Sequence, residues 1–148
     1  MENACLKNKK RILKKHGGKA RLAFEIAECY YQNKDTLYIK WFNFAAEQYK
    51  KDYSKEKDKS KKATQLFAIG KCYYYLEYYP KAEAYFHKSI KAKYPDPIAF
   101  YYLGDCLKKQ NKCQEAIVEF SNFKKLCANC LDADEMIDKC LIEMEKQK

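Results

Sequence analysis

The sequence predicts an all-α solenoid, and three observations carry that expectation. Residues 66–90, LFAIGKCYYYLEYYPKAEAYFHKSI, repeat 34 positions later as FYYLGDCLKKQNKCQEAIVEFSNFK, so that Gly70 meets Gly104, Cys72 meets Cys106, Ala82 meets Ala116 and Phe86 meets Phe120. Self-similarity at a fixed period of this length marks stacked supersecondary units. With only four Gly and three Pro, the chain has little punctuation for the many tight turns of an all-β fold. At 148 residues and 47% hydrophobic content it is of single-domain size, with apolar material for a core.

The spacing within the repeat resembles the tetratricopeptide (TPR) family. Leu66-x2-Ile69-Gly70-x2-Tyr73 with Ala82-x3-Phe86 and Pro95 is similar to one unit, and Phe100-x2-Leu103-Gly104-x2-Leu107 with Ala116-x3-Phe120 to the next. The resemblance implies a TPR-type helical-hairpin solenoid of about three helix pairs plus a C-terminal capping helix. The slots make physical sense. Gly and Ala are small where two helix backbones approach closely, and the large residues fill the space on either side.

Taken in order, residues 1–19 form a basic N-terminal arm, flexible or helical, ahead of Gly17-Gly18. Residues 20–49 are a degenerate first unit, with Ala27 in the glycine slot and Tyr38, Phe42 and Ala45 facing inward on a second helix over 36–49. This unit also resembles the Sel1-like relatives of the family, departing from them in a bulky Tyr38 and a turn about one residue short. Residues 50–62, KKDYSKEKDKSKK, cannot bury a face, and either prolong the preceding helix or form a solvated loop. Residues 63–130 hold the two TPR units. Residues 131–148 form the cap, because Asp138 stands where Gly70 and Gly104 stood and a charge there requires that no helix press on it.

The net charge of +10 belongs to the arm, with +6, and the connector, with +4; the rest of the chain is neutral. The absence of a long apolar run and of a signal-like N-terminus predicts a cytoplasmic protein without membrane insertion. The thin apolar stripe of Leu6, Ile12 and Leu13 argues against membrane anchoring of the arm.

Cys29, Cys72, Cys106 and Cys140 share one slot of four successive first helices, where thiols serve as small packing groups. Cys127-Ala-Asn-Cys130 is a lone CxxC in the turn after the last full unit, open to a structural, metal-binding (with Cys113 or a histidine) or redox role. His16 and His87 have no partner at catalytic spacing. No cofactor, metal or catalytic residue is assigned.

Among the rings, Tyr73, Tyr79, Tyr85 and Phe86 fall on helix-packing faces. TPR first helices line a concave groove, and register places Arg21, Phe24, Glu28 and Tyr31 there, then Thr64, Phe67, Lys71, Tyr74 and Tyr75, then Ile98, Tyr101, Asp105, Lys108 and Lys109. Rigid rings beside lysines suit a peptide carrying apolar anchors. The carboxylate clamp of chaperone-binding TPR proteins is absent, since its slots hold Phe24, Glu28, Phe67, Ala68, Ile98 and Tyr102. The expected function is a noncatalytic protein-binding adaptor or small chaperone, similar to those of bacterial secretion systems, which are usually more acidic. The arm filling the groove in cis is the bland alternative. The competing expectation is nucleic-acid (RNA) binding through the lysine-rich segments and the groove tyrosines.

Overall fold

A computed structural model describes residues 4–16, 20–127 and 129–148. Gly17 and Gly18, expected to end the arm, lie outside the described residues. The described residues form eight α-helices and no strand: α1 (Ala4–His16), α2 (Ala20–Gln32), α3 (Leu37–Lys55), α4 (Lys59–Tyr75), α5 (Tyr79–Lys91), α6 (Ile98–Lys109), α7 (Cys113–Leu126) and α8 (Leu131–Lys146). Each packs on its neighbours in sequence, and α4 also touches α6. The array is all-α and solenoid-like.

The 34-residue period is a period of packing. A Cβ built on Gly70 would stand 2.8 Å from Phe86 Cε1, and one on Gly104 2.8 Å from Phe120 Cε1. Both phenylalanines are fully buried, and burial of such a ring contributes about 2–3 kcal/mol. One ring pair recurs in all three hairpins, with centroids 5.2 Å apart for Phe24 and Phe42, 5.6 Å for Phe67 and Phe86, and 5.6 Å for Tyr101 and Phe120. The degenerate first unit therefore keeps the contact despite its shorter spacing.

The hairpin turns repeat as well. Lys34, Glu77 and Asn111 have φ of 54°, 60° and 61°. At each, the following amide donates back across the turn, Asp35 to the Tyr30 carbonyl (3.0 Å), Tyr78 to Tyr73 (2.9 Å) and Lys112 to Leu107 (2.9 Å). These bonds satisfy carbonyls that a helix end would leave without a donor.

The lysine-rich connector is almost entirely helical. It lengthens α3 to Lys55 and opens α4 at Lys59, leaving a break at residues 56–58. Carboxylates hold that break: Glu56 Oε1 accepts from the amides of Lys57 and Asp58, each at 3.0 Å, and Asp58 Oδ1 caps α4 by accepting from the Lys61 amide at 2.9 Å.

The basic arm is a helix docked on α2. Leu6 is buried against Ile26, Cys29 and Tyr30, and Lys9 pairs with Glu25 at 3.1 Å. At 3.6 residues per turn, Leu22, Ile26 and Cys29 lie on a flank of α2 roughly opposite the edge of Phe24 and Glu28. α1 thus packs on the side of α2 away from Phe24 and Glu28. At the other end, α8 buries Ala133 and Cys140, with Met136, Ile137 and Met144 packed against the core, and leaves Asp138 exposed.

Candidate functional site

The first helices α2, α4 and α6 share one inner wall, and Lys71 marks where they meet. Its ammonium, carried on α4, lies 5.0 Å from the ring centroid of Phe24 on α2, 5.9 Å from Phe67 on its own helix and 5.8 Å from Tyr102 on α6. Such cation–π contacts contribute about 0.5–1 kcal/mol each at exposed sites. On the α2 side, Tyr75 meets Phe24 at 6.1 Å and Tyr31 at 5.1 Å, and stacks on Phe42 at 4.9 Å. On the α6 side, the Tyr74 hydroxyl donates to Asp105 Oδ2 at 2.6 Å, and the Tyr74 ring meets Tyr102 at 5.0 Å.

These contacts decide how much of each ring is open. Phe24 and Phe67, placed by register on the groove, are only 9% and 8% exposed, because Tyr75 leans over the first and Tyr94 stacks on the second at 4.3 Å. They form the floor of the wall. Tyr31, 45% exposed, offers the most open ring, while Tyr74, Tyr75 and Tyr101 are half-buried. Glu28 and Lys71 are half-buried too, Arg21, Thr64 and Lys109 are exposed, and Lys108 is turned toward Glu143 of α8 at 3.5 Å. Asp105 is a buried carboxylate, 6% exposed, held by Tyr74.

Burial, joined by the Asp105 carboxylate, pushes the Tyr74 phenol well above its ordinary pKa, and burial does the same for Tyr75. At neutral pH these phenols keep their protons and the wall presents neutral rings. Such a wall can offer apolar contact and hydroxyl hydrogen bonds.

At the C-terminal end of the wall the surface opens into a pocket of about 340 Å³, lined by Ile98, Tyr101, Phe123, Asn129, Cys130 and Asp132. Ile98 and Tyr101 are groove slots by register. Cys130 belongs to the CxxC, whose two cysteines form a disulfide. The structure therefore joins two features that the sequence kept apart, since nothing in the spacing shows that the α7–α8 turn folds over α6. Cys29, Cys72, Cys106 and Cys140 are buried as packing groups, and burial pushes the Cys72 and Cys106 thiols up. Cys113 donates to Glu143 Oε2 at 3.3 Å, and burial together with that bond pushes its thiol up to about 12. His87 is exposed.

Among the described residues, no group of three or more His, Cys, Asp or Glu is arranged to hold a metal, and no helix is long and apolar enough to cross a membrane. In comparisons with known proteins, no family model and no curated protein matches this chain.

Proposed function

We propose that the chain is a TPR-type repeat protein that binds a segment of another protein on the inner wall of α2, α4 and α6, acting as a noncatalytic adaptor or small chaperone. The observation that carries this is the position of Lys71 among rings from all three first helices, which makes their inner faces one continuous surface. Tyr31 at one end, Tyr101 at the other and neutral phenols between them supply rigid contact area at small entropy cost.

The lysine-rich stretch lends little to the nucleic-acid alternative. Lys50 and Lys62 lie over Tyr73 and Tyr53 near the α3–α4 junction, at 5.2 and 4.8 Å, so they do not border the rings of the inner wall. Phosphate-driven binding would weaken steeply with added salt, whereas apolar docking would respond little.

The test is site-specific photocrosslinking in native lysate, with a benzophenone side chain at Tyr31, at Tyr101 or at the exposed Val118 of α7. Common partners crosslinked from Tyr31 and Tyr101 but not from Val118 are expected. Partners captured from Val118 alone would move the binding face off the inner wall.

A further inference from the structure

We propose that Cys127 and Cys130 form a reversible thiol–disulfide switch that sets the rim of the adjoining pocket, so that the pocket holds an uncharged apolar group more tightly when the pair is oxidised. The natural occupant is an apolar side chain of the partner segment. Ile98, Tyr101 and Phe123 give the pocket apolar walls, and the Asp132 carboxylate at its edge disfavours an anion. Identifying that occupant rests on the protein-binding function proposed above; the switch itself does not.

The disulfide joins the C-cap of α7 to the N-cap of α8. Both ends are tied to the pocket. The Cys127 amide donates to the carbonyl of Phe123, a wall residue, at 3.0 Å, while Cys130 lines the pocket itself and its carbonyl accepts from Ala133 at 3.4 Å. With the bond closed, Asn129, Cys130 and Asp132 are held over Ile98 and Tyr101. With it open, the turn gains freedom and an occupant must bear the entropy of ordering it.

The pair also differs in access from five other cysteines of the array. Cys127 and Cys130 are partly exposed, and Cys130 sits at a helix N-terminus, where the dipole favours a thiolate. Cys29, Cys72, Cys106, Cys113 and Cys140 are buried. Oxidation takes one proton and one electron from each thiol and joins the two sulfurs. Oxidised glutathione accepts the electrons and leaves as two glutathione thiols.

The full chain is equilibrated in glutathione buffers of graded ratio, its disulfides are mapped by peptide mass, and the neutral dye N-phenyl-1-naphthylamine is titrated into each state by fluorescence. The expected result is a reversible Cys127–Cys130 bond and a dye Kd at least about threefold higher after reduction. The double variant Cys127→Ser with Cys130→Ser should bind like the reduced protein at every ratio, and Ile98→Asp should weaken binding in both states. Hydrogen exchange at the Cys127 and Ala133 amides, faster on reduction, reads the rim without dye or variant. Equal dye affinity and equal exchange in the two states would overturn the proposal. Because no partner enters the assay, its failure and that of the protein-binding function are separately visible.

Discussion

The ring of Phe120 lies over Gly104, with Cε1, Cδ1 and Cζ at 2.8, 2.9 and 3.0 Å from the place a Cβ would take. Phe86 lies over Gly70 in the same way, and both rings are fully buried. An added methyl must displace an aromatic ring already packed on Tyr101 in one case and Phe67 in the other. Overpacking of this kind costs about 1–3 kcal/mol, against the ~1 kcal/mol that Ala gains over Gly in a helix. Gly104→Ala and Gly70→Ala are each expected to lower stability in urea unfolding, by up to about 2 kcal/mol. A gain in stability would show that the rings can move aside.

The turns after α4 and α5 have no glycine where helix ends commonly use one. Glu77 and Lys93 hold left-handed φ of 60° and 62° and are exposed. Both follow helices whose last carbonyls are satisfied across the turn, by the amides of Tyr78 and Tyr94. An L side chain pays a steric penalty there that glycine does not. Glu77→Gly and Lys93→Gly should each stabilise the protein by about 0.5–1 kcal/mol, checked by thermal and urea unfolding.

Tyr74 and Asp105 make a polar tie between α4 and α6. Removing the hydroxyl leaves a carboxylate only 6% exposed without that donor, a loss of about 1–3 kcal/mol. Tyr74→Phe should therefore destabilise more than Asp105→Asn, whose amide oxygen still accepts from Tyr74. Equal and small effects in urea unfolding would mean that solvent serves Asp105 as well as Tyr74 does.

How much of this was legible in the sequence depends on what each feature needs to know. Gly70, Gly104, Phe86, Phe120, Cys72, Cys106 and Cys140 were legible because a 34-residue period forces equivalent faces, and the exposure of Asp138 follows from the same register. The connector reads equally as helix or loop because it has no apolar rhythm; the Glu56 and Asp58 carboxylates at the break complete its helical ends. Docking of α1 turns on Leu6, with Leu13 packed beside it, from an apolar stripe too thin among the lysines to announce a docked helix. Register assigns slots on α2, α4 and α6 but not their exposure, since Tyr75 and Tyr94 reach across helix seams to cover Phe24 and Phe67. The pocket depends on a turn folding back, which spacing does not encode.

Alkaline pH should unfold the protein cooperatively. Burial raises the pKa values of Tyr49, Tyr74 and Tyr75 above the ordinary 10.0, and those of Cys72 and Cys106 above 9.0. The folded state therefore keeps protons that the unfolded chain releases. Their contribution to stability is fully present below about pH 9 and is lost as pH rises through the unfolded values toward the folded ones. Tm should fall steeply above pH 9, with tyrosinate absorbance rising in step with loss of helical circular dichroism. Gradual titration of all tyrosines in a protein that stays helical would contradict the burial.

The equivalence of the two hairpins is tested most directly by the proton NMR environment of the two helical glycines. Gly70 and Gly104 should both show strong nuclear Overhauser effects, to the Phe86 and Phe120 rings respectively, with Hα resonances displaced by the ring currents. If one glycine shows the ring contact and the other does not, the 34-residue period is a coincidence of sequence and the shared inner wall loses its basis.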